Sequence, residues 1–363
     1  MSFRDIRDQD VPVRLLTNML RRNRIPNGLL FWGPSGVGKR LAAMETAKAV
    51  NCLEHAEDAC DACLSCRKVN SGNHPDVRIL APVKKSRIIS VETVESMNEF
   101  AALRSFESKW RVFIIHEADR MGGPAQNHFL KTLEEPPGDS LFILITEFPG
   151  MLLPTIRSRC QRVRFGTLRP QTVTELLRRE RDLPQEVAEG VAGIAQGQMS
   201  RALDLVDSDK RAIALDLSRR LAQGEDPLAV AVEFAGHLKA KRTQVETAIK
   251  AELRSSGHAE LTHEDKEDLK TQQMAVAEAL IRQEIMEYLR LLGMWYRDQH
   301  VYRLTQDSAL VLNRDQLDHL GGAQTKGSDF DSKLAALNKA RQYLERFLNE
   351  ERVFRDLFFE LAR

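Results

Sequence analysis

Gly33-Pro34-Ser35-Gly36-Val37-Gly38-Lys39-Arg40 spaces its glycines and lysine as a phosphate cradle requires. In a G-x-x-x-x-G-K loop the backbone N–H groups and the lysine hold phosphate oxygens, and a following Ser or Thr hydroxyl ligates Mg²⁺. Arg40 stands at that hydroxyl position. A second Mg²⁺ ligand is expected at the end of a buried strand, as an Asp followed by a Glu that orients water. After the apolar run Val112-Phe113-Ile114-Ile115 this chain reads His116-Glu117-Ala118-Asp119. An imidazole is a poor ligand for a hard cation that prefers oxygen. Two separate contacts to one ion are therefore altered, and the expectation is that the ion is no longer needed. The competing reading is that Asp119 takes over. Lys39 then either holds a phosphate or sulfate, helped by the cation of Arg40, or is a relic in a local ion pair. Glu117 reads as structural.

Four of the five cysteines cluster as Cys52, Cys60, Cys63 and Cys66, in the pattern C-x7-C-x2-C-x2-C, and Cys160 lies far from them. Four thiolates so close in the chain suit a tetrahedral structural zinc with no open coordination position. So short a loop cannot build a core, and the metal would hold it together. A redox pair or unligated surface thiols are the alternatives. A catalytic zinc fits least, because four sulfurs leave no place for water. His55, inside the loop, reads as a surface residue.

Elements of regular structure must position these groups. Leu29-Leu30-Phe31-Trp32 suits a buried strand, and Leu41 to Val50 is rich in helix formers. Strand, glycine-rich turn and helix is the context that makes the phosphate loop credible. Val112 to Ile115 reads as a buried parallel strand, Arg78 to Ala81 as a further strand. Val91 to Arg104 reads as an amphipathic helix with Val91, Val94, Met97 and Ala101 on its core face. Pro170 punctuates a boundary. The fold class expected is an α/β P-loop domain over 1–165 with a zinc module inserted at 52–66. A small helical lid over 166–207 and an all-α domain over 208–363 follow. The segment 239–273 is unusually charged and is interrupted by Ser255-Ser256-Gly257. It reads as a solvated helix pair, with a mobile insertion or a partner-binding arm as alternatives.

Composition sets bounds. Lys and Arg total 53 against 52 Asp and Glu, a net charge of +1, which does not by itself mark a nucleic-acid binder. Hydrophobic residues are 42% and aromatics only 6%, consistent with helical packing by Leu and Ala. Met1-Ser2-Phe3-Arg4-Asp5 is charged rather than apolar, so no signal peptide is expected. No run of about eighteen apolar residues suggests a membrane span, and the expected location is the cytoplasm.

Further motifs converge on a family. The phosphate loop and cysteine module are joined by His74-Pro75-Asp76, by Leu130-Lys131-Thr132-Leu133-Glu134-Glu135-Pro136-Pro137 and by Ser158-Arg159-Cys160. Together these resemble the AAA+ clamp-loader subunits of bacterial DNA polymerase III. The likeness is strong over residues 1–207. It continues weakly to Leu348-Asn349-Glu350-Glu351-Arg352 and the apolar helix after it. Family motors, the gamma/tau subunits, need G-K-[ST] and D-E, where this chain has Gly38-Lys39-Arg40 and His116-Glu117. The chain therefore looks like the delta-prime type, with a degenerate nucleotide loop at Gly33, Gly36, Gly38 and Lys39 and no ATPase of its own expected. Motors also carry a lid arginine in a G-x-x-R pattern. Here Ser200 takes that place and Arg201 is one step late, which turns a helical side chain by about 100°. Thr146 fits the family's polar sensor.

The resemblance implies a role in trans for Arg159. An arginine of the S-R-C triplet reaches a neighbour's ATP and stabilises charge on the transferring phosphoryl group. The alternative is an ordinary surface arginine beside Arg157, Arg162 and Arg164. Implied partners are gamma/tau motor subunits, the delta subunit and the sliding clamp, with primed DNA reached through the assembled complex. Residues 208–363 are implied to form a helical collar. Structural zinc is the implied cofactor, and Mg·ATP is not expected to bind in the usual way. Two other readings stand: an active gamma/tau-like ATPase with a divergent pocket, and a different P-loop protein such as a DNA-repair or recombination ATPase.

Overall fold

A computed structural model describes residues 2–55, 57–82, 88–255, 263–321, 330–346 and 348–363. The chain divides into two compact units: Met1–Val173 with Gln196–Arg201, and Thr174–Ala195 with Ala202–Arg363. The first carries α1 (Asp10–Arg21), β1 (Gly28–Trp32), α2 (Lys39–Val50), α3 (Leu64–Asn70), β2 (Val77–Leu80), α4 (Val91–Ala102), β3 (Arg111–Ile115), α5 (Gly123–Glu134), β4 (Ser140–Thr146), α6 (Pro154–Arg159) and β5 (Gln161–Arg164). The elements continue with α7 (Pro170–Arg181), α8 (Gln185–Ala195), α9 (Met199–Asp207), α10 (Lys210–Ala222), α11 (Pro227–Ser255), α12 (His263–Thr305), α13 (Leu317–Gly321), α14 (Phe330–Glu345) and α15 (Glu350–Ala362).

The five strands form one parallel sheet in the order β2-β3-β4-β1-β5. Parallel neighbours need crossovers, and helices supply them on both faces. Side chains alternate across the sheet, so each strand feeds two cores. Leu29, Phe31, Val112, Ile114, Leu141 and Ile143 pack with Leu16 of α1 and Ala43 and Ala47 of α2. Leu30, Phe113, Ile115, Phe142 and Leu144 face the other way, onto Val94 and Met97 of α4 and Phe129 of α5. There the Phe113 and Phe142 rings stack at 5.0 Å and Phe129 meets Phe142 edge-on at 5.4 Å. Val94, Met97 and Ala101 are buried as the helical spacing predicts, and Val91 is half-buried.

Among its described residues, the second unit's regular elements are all helices. Phe234 of α11 centres a ring cluster, edge-on to Tyr288 at 5.1 Å and to Phe354 at 4.8 Å. Leu337, Leu344, Phe354, Phe358 and Leu361 are buried in this unit, whereas Leu334 and Leu348 are exposed. Most of the apolar C-terminal stretch is therefore the core of its own bundle. The charged segment falls on α11 and α12, both long helices, while Ser256 and Gly257 of its interruption lie outside the described residues. Of the helices expected as a lid, α8 belongs to the second unit, and α7 and α9 each begin in the first and end in the second.

Candidate functional site

The strand order makes the site. β3, β4 and β1 are adjacent, and Trp32 lies opposite Thr146 while Ile115 lies opposite Leu144. The carboxyl ends of these strands therefore bring together the phosphate loop, Thr146 and His116. In an open parallel α/β sheet this is where ligands bind. The loop turns on Gly33 (φ 142), Gly36 (φ 67) and Gly38 (φ 97), a left-handed conformation that glycine adopts without steric cost. Gly36 is also needed for close approach. A Cβ there would fall 2.3 Å from the Ser200 nitrogen and 2.4 Å from its hydroxyl oxygen. Met199 N–H donates to the Gly36 carbonyl at 3.1 Å, so the start of α9 lies directly on the loop. Ser200, read from sequence as standing in for the lid arginine, is thus placed at the cradle.

Lys39 is buried, and its ammonium donates to the loop's own carbonyls, Gly33 O at 2.7 Å and Pro34 O. Burial lowers its pKa, opposed by the carboxylates of Glu147 and Asp119. Arg40 is exposed. His116 is half-buried; desolvation lowers its pKa, the Arg40 cation lowers it further, and Glu117 opposes both. Its Nε2 is buried without a hydrogen-bond partner among the described residues. Asp119 accepts the Thr146 hydroxyl and lies 4.0 Å from Arg120. Glu117 has a left-handed backbone, φ 48, and pairs with Arg120 at 3.6 Å. Near the loop stand an imidazole, an exposed guanidinium and a carboxylate that accepts a hydroxyl.

The cysteine loop forms a second centre. The sulfurs of Cys52, Cys60, Cys63 and Cys66 all lie within 4.8 Å of one another. A Zn–S bond of about 2.3 Å in tetrahedral geometry separates sulfurs by about 3.8 Å, and Cys60 and Cys66 are 4.0 Å apart. A disulfide would need about 2.05 Å. Backbone N–H groups point at the sulfurs: Cys63 N to Cys60 Sγ at 3.2 Å, Cys66 N to Cys63 Sγ at 3.4 Å and His55 N to Cys52 Sγ at 3.4 Å. Such donors favour thiolates, so the donor set fits a metal. His55 is exposed. Cys160 is elsewhere, packed so that a Cβ on Gly28 would come within 2.9 Å of its sulfur. Burial pushes its thiol up to about 12, which makes it inert packing rather than a ligand.

Arg159 ends α6 on the surface. Its guanidinium sits 2.6 Å from Glu134 Oε1 and donates to the Thr155 carbonyl at 3.2 Å. The L-E-E-P-P and S-R-C stretches, separate in sequence, are therefore one surface feature, with Ser158 bonded to Thr155 O at 3.0 Å and Cys160 turned inward. Sequence reasoning did not assign Glu134 a role, because no local pattern pairs it with Arg159. It also missed Gln9. That buried amide donates to the Val37 and Gly166 carbonyls and accepts Gly166 N–H at 3.0 Å, tying the phosphate loop to the end of the sheet.

His74-Pro75-Asp76 is an anchor. His74 Nδ1 accepts Asp76 N–H at 3.1 Å and its Nε2 lies 3.2 Å from the Ser65 hydroxyl, linking the sheet to the cysteine module. Asp76 is fully buried and accepts the N–H groups of Phe106, Glu107 and Ser108 at 2.7, 3.0 and 3.0 Å and the Ser108 hydroxyl at 2.9 Å. Burial raises its pKa, but these donors outweigh burial and hold it below the ordinary 3.8. The unfolded chain therefore takes up this proton first as pH falls. Its stabilisation is present above about pH 4 and is lost as acid carries the pH down through the lowered pKa. Asp76→Ala is expected to lower stability by about 3 kcal/mol at pH 7 and to flatten the acid limb. Chemical denaturation at pH 7 and pH 3 tests this; an unchanged acid limb would refute it.

The fold and the loop define an α/β protein with a parallel sheet and a P-loop at its carboxyl edge. Residues 8–169 match the family described as DNA polymerase III, delta subunit. DNA polymerase III subunit delta' of Bacillus subtilis (strain 168) is 35% identical over 202 residues, 54% of this chain and 59% of the relative. That of Pseudomonas aeruginosa is 36% identical over 163 residues, 45% and 49% of the two chains. Subunit tau of Bacillus subtilis is 33% identical over 235 residues, 63% of this chain and 40% of tau. Over this stretch the chain is similar in sequence to delta' subunits, and tau is also among its relatives. The chain spans 40% to 59% of the length of these three relatives. No described helix is long and apolar enough to cross a membrane.

Proposed function

We propose that this protein is a delta-prime-like scaffold of the replicative clamp loader whose own ATP site is degenerate and which supplies Arg159 to a neighbouring subunit's ATP. The observation that carries the reading is the P-loop lysine. Its ammonium is engaged by the carbonyls of Gly33 and Pro34, and Arg40 and His116 stand where oxygen ligands to Mg²⁺ are required. In this reading Gly33, Gly36, Gly38 and Lys39 are a relict cradle, and Cys52, Cys60, Cys63 and Cys66 hold a structural zinc. Residues 1–165 form the AAA+ domain, 166–207 the lid and 208–363 the collar that joins the ring. The partners are gamma/tau, delta and the sliding clamp, loaded onto primed DNA in the cytoplasm.

The similarity to tau favours one rival, an active gamma/tau-like ATPase with a divergent pocket. Calorimetric titration of the zinc-loaded chain with Mg·ATP, followed by a hydrolysis assay on the same sample, separates the two. The scaffold reading expects neither magnesium-dependent binding nor turnover. Tight binding with hydrolysis would sink it and reassign the chain as a motor.

A further inference from the structure

Lys48 lies on α2, the helix that opens at the phosphate loop, and is fully buried. Its ammonium is 2.8 Å from Glu45 Oε2 on the same helix and 2.5 Å from Asp61 Oδ1. Asp61 stands between Cys60 and Cys63 and also accepts the Asn70 amide at 3.1 Å, from the end of α3. Its backbone is left-handed, φ 56, a conformation that Asp adopts more readily than most residues other than glycine. Neither the phosphate loop nor Arg159 uses these groups. A buried ammonium is costly unless paired, and its pairing is correspondingly demanding about geometry. Here one of the partners is a residue of the turn that sets two of the four sulfurs.

We propose that Lys48 and Asp61 are positioning residues for the metal. Their ion pair holds the Cys60–Cys63 turn in the shape that ligation needs, and it couples metal occupancy to the helix behind the phosphate loop. The inference rests on the reading of the sulfur cluster as a zinc centre. Groups that orient ligands without touching the ion typically change metal affinity by about 10–100-fold when removed. Linkage makes the effect reciprocal. If Lys48 orders the ligand turn, bound metal in turn keeps Asp61 on Lys48 and stabilises the α/β unit.

The test is zinc affinity, measured by competition with a chromophoric chelator, for the full-length wild type, Asp61→Asn, Lys48→Met and the double variant. Asp61→Asn preserves shape at a partly exposed position and leaves the Glu45–Lys48 pair in place. The expected result is zinc binding by the wild type, weakened about 10–100-fold in each single variant. The double variant should lose no more than the weaker single, because both act through one contact. Thermal unfolding at saturating zinc should leave Asp61→Asn near wild type, with its zinc-dependent rise in midpoint reduced at limiting zinc. If Lys48→Met does not fold, Asp61→Asn alone decides. Wild-type affinity in Asp61→Asn, or additive losses in the cycle, would overturn the inference. A wild-type chain that takes up no zinc would overturn the zinc reading itself, and that outcome shows in the wild-type arm before any variant is compared.

Discussion

Arg159→Ala, in a clamp loader reassembled with gamma/tau subunits, is expected to slow ATP turnover at the site it faces by about 10³-fold or more. The total rate will fall less, because other sites keep firing, so the measurement is the pre-steady-state burst, which should lose one site's amplitude. A guanidinium suits this role because it is planar, always charged and bidentate. Arg159→Lys keeps the charge without the fork and should recover little. Stability should barely change. Arg159 and Glu134 are both substantially exposed, with 38% and 48% of their side-chain surface accessible, and such pairs contribute about 0–1 kcal/mol. Arg162→Ala is the control: Arg162 is also exposed and lies on β5, but it is not part of the S-R-C triplet. If the Arg159→Ala complex shows a full burst and loads clamps at the wild-type rate, the trans role is wrong and Arg159 is a surface residue like its neighbours.

Removal of metal from the cysteine loop should have the second largest effect. At free zinc about 1,000-fold above the dissociation constant, chelation removes about 4 kcal/mol of stability from a protein that binds it only when folded. The loop has little apolar core of its own. Its apolar cluster is Ala59, Cys63 and Cys66, with Cys52 and Cys60 half-buried beside them. Cys66→Ser, at a fully buried sulfur, should abolish stoichiometric zinc and make the unfolding midpoint insensitive to chelator. Loss should appear first as hydrogen exchange in the 52–70 segment, with the sheet core protected until global unfolding. A wild-type protein whose midpoint ignores chelator would show the thiols to be unligated.

Much of the α/β unit is legible in the chain because its signals are local. The apolar run Leu29–Trp32, the glycine turn and the helix formers after Lys39 are contiguous, and each is found in place as β1, the loop and α2. The buried strand around Val112–Ile115 follows from a continuous apolar run and the core face of α4 from a 3.6-residue period; they are found as β3 and as buried Val94, Met97 and Ala101. The cysteines cluster in space because they cluster in sequence. The helical unit was less legible. Leu334 and Leu348 share the apolar character of Leu337 and Leu344, yet the first pair is exposed and the second buried. Composition alone does not say which face of α14 meets a partner.

The sequence by itself determined which residue types stand at the phosphate loop, after the strand Val112–Ile115 and at the sulfur centre, because backbone conformation and ligand spacing are short-range properties. Only the tertiary structure decided what those residues touch. Lys39 turns onto carbonyls, Ser200 lies against Gly36, Glu134 receives Arg159, Gln9 joins Gly166 and Lys48 reaches into the cysteine loop. A buried polar group must find a partner. Which partner it finds depends on the elements that packing brings alongside it, and in the case of Gln9 the partner lies 157 residues away. Neither periodicity nor local charge in a single chain carries that information.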